Sequence, residues 1–102
     1  MVATDESIDT IETSSGESLA FCHQPGTTPG VLFLPGFNSD MQGTKALALE
    51  SWSRQRGRQF TRFDYSGHGV SSGRFEDGTI GAWLSESMAV FQRGTEGTQI
   101  VI

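Results

Sequence analysis

Hydrophobic and polar positions follow several different spacings along this chain. Ser7 to Thr13 is rich in β-branched residues, Ser14-Ser15-Gly16-Glu17 is turn-forming, and Ser18 to Gln24 is a second β-forming run. Two such runs around a short polar break predict an N-terminal β-hairpin. Pro25 to Gly30 reads as a linker, because each X-Pro step biases the chain toward extended or turn conformations. Val31-Leu32-Phe33-Leu34 is an unbroken apolar run stopped by Pro35-Gly36. Such a run predicts a strand buried on both faces.

The spacing then changes. Ala46, Leu47, Ala48, Leu49 and Trp52 lie in a helix-forming segment from about Thr44 to Arg56, closed by Gly57, with Ala48, Leu49 and Trp52 predicted to dock on the sheet. Gln59 to Asp64 alternates and returns as a strand, and Tyr65 to Gly78 is a loop rich in glycine and serine. A second helix is predicted over Thr79 to Arg93, with Ile80, Trp83, Leu84, Ser87 and Phe91 on one side and Gly94 as its stop; Thr98 to Ile102 begins another strand. Strand, helix and strand at these lengths predict right-handed parallel crossovers. The expected fold class is therefore α/β, an N-terminal β-hairpin followed by a parallel βαβαβ sheet, in one domain with residues 1–6 disordered.

Composition narrows the function classes. A net charge of −5 over 102 residues leaves no basic stripe to displace counterions from phosphates, which argues against nucleic acid. No apolar run approaches membrane-spanning length. Cys22 is the sole cysteine, which fits a reducing compartment. Met1 to Asp9 is acidic and polar, without the apolar core of a secretory signal or the arginine-rich character of a mitochondrial presequence, so a cytoplasmic location is expected.

Four stretches invite chemistry. Cys22-His23 has no second Cys or His cluster to complete a metal site, and reads as a pair of strand residues. Gly69-Val70-Ser71-Ser72-Gly73 matches the Gly-x-Ser-x-Gly nucleophile pattern, with His68 beside it and Asp64 and Asp77 near. The pattern needs its serine on a sharp turn directly between strand and helix, whereas Ser71 lies several residues past the strand and well before the next helix. Gly67-x-Gly69-x-x-Ser72 lacks the third glycine of a dinucleotide loop, and Gly43-Thr44-Lys45 lacks the order of a phosphate loop. After Val31 to Leu34, Pro35 gives up its own donor and Gly36 permits a close turn that can aim the Phe37 amide outward. An outward amide beside a helix N-terminus suits a developing negative charge, which makes an oxyanion hole one reading and an ordinary strand-to-helix connection the other.

Leu34-Pro35-Gly36-Phe37-Asn38-Ser39-Asp40-Met41-Gln42-Gly43-Thr44-Lys45-Ala46, followed by Phe63-Asp64-Tyr65-Ser66-Gly67-His68-Gly69-Val70-Ser71-Ser72-Gly73, resembles the N-terminal part of a serine α/β-hydrolase. The resemblance runs from about Val31 to Ile102 and is to the group of the mitochondrial palmitoyl-protein thioesterase and acyl-glucuronide esterase with its bacterial relatives. It implies an incomplete α/β-hydrolase fold in which Phe37 supplies an oxyanion-hole amide, Gly36 allows the substrate to approach and Asn38 to Asp40 shape or cap the loop. It also implies that Asp64 to Gly73 is a structural loop, with neither His68 nor Ser71 catalytic. Thr98 to Ile102 would be the strand that feeds the nucleophile elbow.

The nucleophile, acid and catalytic His are then expected beyond Ile102. The expected function is part of a serine hydrolase that cleaves acyl esters or thioesters through an acyl-serine intermediate, inactive by itself. Its partners would be small-molecule or acyl-protein substrates, with no metal or organic cofactor. The alternatives are a non-catalytic binding or interaction module, or a minimal esterase using Ser71 and His68.

Overall fold

The computed structural model describes residues 8–36 and 39–102. The first two β-forming runs pair as β1 (Asp9–Glu12) and β2 (Ser18–Gln24), antiparallel and with Ile11 opposite Leu19. Between them Gly16 takes φ +93°, a left-handed conformation that costs a glycine little, and its amide reaches Thr13 O at 3.0 Å. The expectation of disorder over residues 1–6 lies outside the described residues.

The remaining elements are β3 (Thr27–Phe33), α1 (Thr44–Gln55), β4 (Arg58–Phe63), a short 3₁₀ turn (Phe75–Asp77), α2 (Ile80–Gly94) and β5 (Gln99–Val101). The sheet order is β1-β2-β4-β3-β5, with β3 parallel to both β4 and β5. The hairpin joins antiparallel through β2 to β4, not to its sequence neighbour β3. The expected α/β class, a hairpin leading into a parallel sheet, is what the chain adopts. The linker expectation holds less well. β3 starts at Thr27, which pairs with Arg58 before a register shift brings Val31 opposite Phe60, and the Thr28–Pro29 peptide is cis.

Period-two alternation gives the sheet two apolar faces. Val31 and Phe33 pack with Phe60, Ala46 and Leu49 under α1, whereas Leu32 packs with Ile11, Leu19, Phe21, Phe63 and Val90 under α2. The two helices therefore cover opposite faces. Thr79 caps α2, its hydroxyl accepting the Ala82 amide at 3.0 Å, a contact of about 1 kcal/mol.

Both helices dock by only part of the expected stripe: Leu49 packs on the sheet as expected, and neighbouring positions complete the contact. In α1 the buried positions are Ala46 and Ser53, while Trp52 is 41% exposed and lies under the Arg56 guanidinium at 4.3 Å. On the same side of α1, Glu50 meets Arg62 of β4 at 3.1 Å. In α2 the buried positions are Glu86, Val90 and Gly94, whereas Ile80 and Leu84 are 76% and 63% exposed. Glu86 is drawn inward because Ser66 offers two donors, and Gly94 lets the helix end approach Phe21 and Ile11.

Candidate functional site

In an open α/β sheet, ligands bind outside the carboxyl ends of the strands where successive connections leave for opposite faces. β3 and β4 are such neighbours, since α1 after β3 and α2 after β4 lie on opposite sides. Two clefts open there, one on each side of Pro35. The first, about 280 Å³, is lined by Leu34, Pro35, Tyr65, His68, Ile80, Trp83, Leu84 and Ser87. The second, about 250 Å³, is lined by Phe33, Pro35, Gly36, Ser39, Asp40, Gly43, Thr44, Lys45 and Ala46. Gly36 is exposed at this edge, and its carbonyl accepts the Ser39 amide at 3.1 Å. Phe37 and Asn38, the other two residues expected in the site, lie outside the described residues.

The loop that carries them is tied down at both ends. Pro35 is buried where β3 finishes, and Met41 is fully buried against Ala20 and Cys22 of β2. Met41 donates its amide to Asp64 Oδ1 at 2.7 Å, and its carbonyl accepts Arg62 Nη1 at 3.0 Å. Arg62 in turn meets Glu50 Oε2 at 3.1 Å. The sequence reading missed Arg62, Glu50 and Glu86. The available signal was the alternation Phe60-Thr61-Arg62-Phe63-Asp64, which places Arg62 and Asp64 on the same face as the core residue Phe60.

The serine-rich loop has structural work of another kind. Ser71 Oγ donates to Asp64 O at 2.7 Å and accepts the Ala20 amide at 2.8 Å. Ser72 Oγ accepts the Ser18 amide at 2.7 Å and donates to Glu17 Oε1 at 2.6 Å. His68 is buried, with Nδ1 3.0 Å from Ser66 O and its ring edge-on to Phe75, Trp83 and Tyr65. A nucleophilic hydroxyl must hand its proton to a base, whereas that of Ser71 is directed at a backbone carbonyl. The geometry gives the Ser71 and His68 alternative no support.

Cys22 packs under Met41, and His23 Nδ1 meets Thr61 Oγ1 at 2.8 Å. As successive strand residues they point to opposite faces and share no site. Glu76, on the exposed 3₁₀ turn, has its carboxyl held below the usual range by its own backbone N–H and by Arg74. Among the described residues no helix is long and apolar enough to cross a membrane.

No family model matches the chain. It is similar to the curated bovine (Bos taurus) palmitoyl-protein thioesterase ABHD10, mitochondrial, at 41% identity over 85 residues, covering 83% of this chain and 28% of that protein. Among solved structures it superposes on the alpha/beta hydrolase domain-containing protein 10 from mouse with a TM-score of 0.90 at 38% identity, covering 93% of this chain and 38% of the other. A putative hydrolase from Agrobacterium vitis S4 gives a TM-score of 0.87 at 36% identity over 96% of this chain and 40% of that one. The chain thus spans about a third of the length of the relatives it matches. The cytoplasmic expectation is overturned: the curated relatives are named mitochondrial, and the composition of Met1 to Asp9 does not weigh against similarity over most of the chain.

Proposed function

We propose, from the premise that this chain is homologous to the N-terminal third of the ABHD10 palmitoyl-protein thioesterases and has the fold of the N-terminal portion of an α/β-hydrolase, that it forms the oxyanion side of a serine hydrolase acting on acyl esters or thioesters. The observation that carries this reading is the parallel pairing of β3 with β4, which brings Pro35-Gly36 to a cleft at the switch point beside the start of α1. A serine attacks the acyl carbonyl, and its oxygen becomes an oxyanion that the Phe37 amide receives. Collapse expels the alcohol or thiol and leaves an acyl-serine, which water then cleaves. Gly36, lacking a side chain, leaves room for the carbonyl to approach, and Asn38 borders it. A single oxyanion donor is worth about 10²- to 10³-fold in kcat.

The nucleophile, acid and base belong, in this reading, to sequence beyond Ile102, and the 102 residues alone are inactive. Two observations support that: the bonds already made by Ser71 Oγ, and the share of its relatives that the chain spans. A fluorophosphonate probe tests it. The longer protein is expected to label at a Gly-x-Ser-x-Gly serine after β5 and to hydrolyse an acyl thioester, while the 102-residue chain stays unlabelled. Labelling of the short chain that vanishes in Ser71→Ala would overturn the assignment. A non-catalytic interaction module is the second reading, favoured by the half-exposed apolar edge at Ile100 and Val101. It predicts no labelling of either form.

A further inference from the structure

We propose that Arg62 is a positioning residue for the oxyanion loop, fixing its C-terminal anchor by holding the Met41 carbonyl; this rests on the hydrolase reading above. Arg62 is 1% exposed, on β4 between antiparallel β2 and parallel β3. Its Nε lies 3.1 Å from Glu50 Oε2 on α1, and its Nη1 lies 3.0 Å from Met41 O. It therefore spans from the helix that follows the loop to the last anchored residue within it.

For stability alone an apolar side chain would serve at this position. Taking a guanidinium and a carboxylate out of water costs as much as their attraction returns, and apolar replacements of buried pairs are often neutral or stabilising. What the guanidinium adds is direction. Its planar fork fixes one peptide plane relative to the sheet, and Asp64 fixes the amide of the same residue at 2.7 Å. Met41 is thus held through its amide, carbonyl and buried side chain, and Pro35 is buried at the other end, so the loop is anchored on both sides. The expected donor at Phe37 sits in that loop. An oxyanion donor works only when it is already in place, and a displacement of about 1 Å can cost about 10²-fold in rate.

The test uses the full-length hydrolase containing this chain. Arg62→Met leaves Glu50 without its buried partner, so the double variant Arg62→Met/Glu50→Met, which removes both charges at similar volume, is made beside it, together with Arg62→Lys. Expected for the double variant is a melting temperature close to the parent's, kcat for a thioester lowered by about 10²-fold and KM within about twofold, because the lost interaction acts on the tetrahedral species. Binding of a trifluoromethyl ketone, which forms such a species, weakens by the same factor, while an unreactive thioether analogue binds as before. Arg62→Lys, with a point charge in place of the fork, recovers only part of kcat. A folded double variant with kcat unchanged, or with kcat and thioether affinity falling together, overturns the positioning role. Parent protein that neither labels nor hydrolyses the thioester overturns the hydrolase reading instead, and with it the inference.

Discussion

Asp64 and Met41, on neighbouring connections after β4 and β3, are joined by a 2.7 Å bond from the Met41 amide to Oδ1, and the other oxygen of the same carboxylate takes the Val70 amide at 2.9 Å. One buried side chain thereby latches the loop after β3 to the loop after β4. Asp64→Asn can keep one of these bonds but must turn an amide NH₂ toward the other donor. A buried N–H left without an acceptor costs about 1–3 kcal/mol. The unfolding free energy of Asp64→Asn is expected to fall by that amount, read as a lower urea midpoint at an unchanged m-value, and the Met41 and Val70 amides should exchange faster than those of β4.

Gly69 explains part of the glycine richness of that second loop. It takes φ +50°, and a Cβ there would run into the Asp64 carboxylate. Gly57, at φ +64° after α1, has nothing within 4 Å of the same position. Alanine at Gly57 therefore carries only the left-handed backbone penalty, about 1–2 kcal/mol. At Gly69 it carries that penalty and also displaces the latch. Gly69→Ala is expected to be the more destabilising of the two by about 1–3 kcal/mol in paired denaturation curves; equal losses would show that the carboxylate moves aside freely.

Ser71→Ala separates a structural hydroxyl from a reactive one. The change removes the acceptor of the Ala20 amide and the donor to Asp64 O. Two part-buried backbone groups then lose their partner, at a cost of about 1–2 kcal/mol. On the hydrolase function proposed above, fluorophosphonate labelling and thioester turnover of the longer protein are expected to stay at parental levels below the melting temperature. A drop in turnover by orders of magnitude at unchanged stability would make Ser71 part of the reaction.

Much of the fold could be read from the sequence, because strand and helix periods differ and because Gly57 and the Pro35-Gly36 step interrupt them sharply. The docking faces were harder. Ala48, Leu49 and Trp52 do share a helical face, but hydrophobic spacing cannot choose between that stripe and the adjacent one holding Ala46, Glu50 and Ser53. The docked side also carries Glu50, which meets Arg62, a charge inside the sheet, where charges are rarely expected. Glu86 misleads in the same way, since its burial depends on Ser66, 20 residues away in sequence. At the site, the place of Gly36 followed from the apolar run that ends at Leu34. The alternation from Phe60 to Asp64 put Arg62 and Asp64 on the core face, but that they hold Met41 of this loop could not follow from any local pattern.

The edge beside β5 makes the last prediction. Ile100, Val101 and Ile102 are 48%, 53% and 50% exposed. Alternate side chains open onto two apolar grooves: Ile100 onto one of about 510 Å³ with Trp52 and Leu49, and Val101 onto one of about 270 Å³ with Leu84, Met88 and Phe91. An unpaired strand edge flanked by apolar surface on both faces is a template for association. The purified 102-residue chain is expected to self-associate increasingly above about 10 µM, a range in which exposed edges commonly drive aggregation. The double variant Ile100→Glu/Val101→Lys puts one charge into each groove and keeps the net charge at −5. A change in association then reports the edge and not overall repulsion. Light scattering is expected to show the variant monomeric at concentrations where the parent is not. A parent chain that stays monomeric to about 1 mM would mean that these grooves close on themselves in solution.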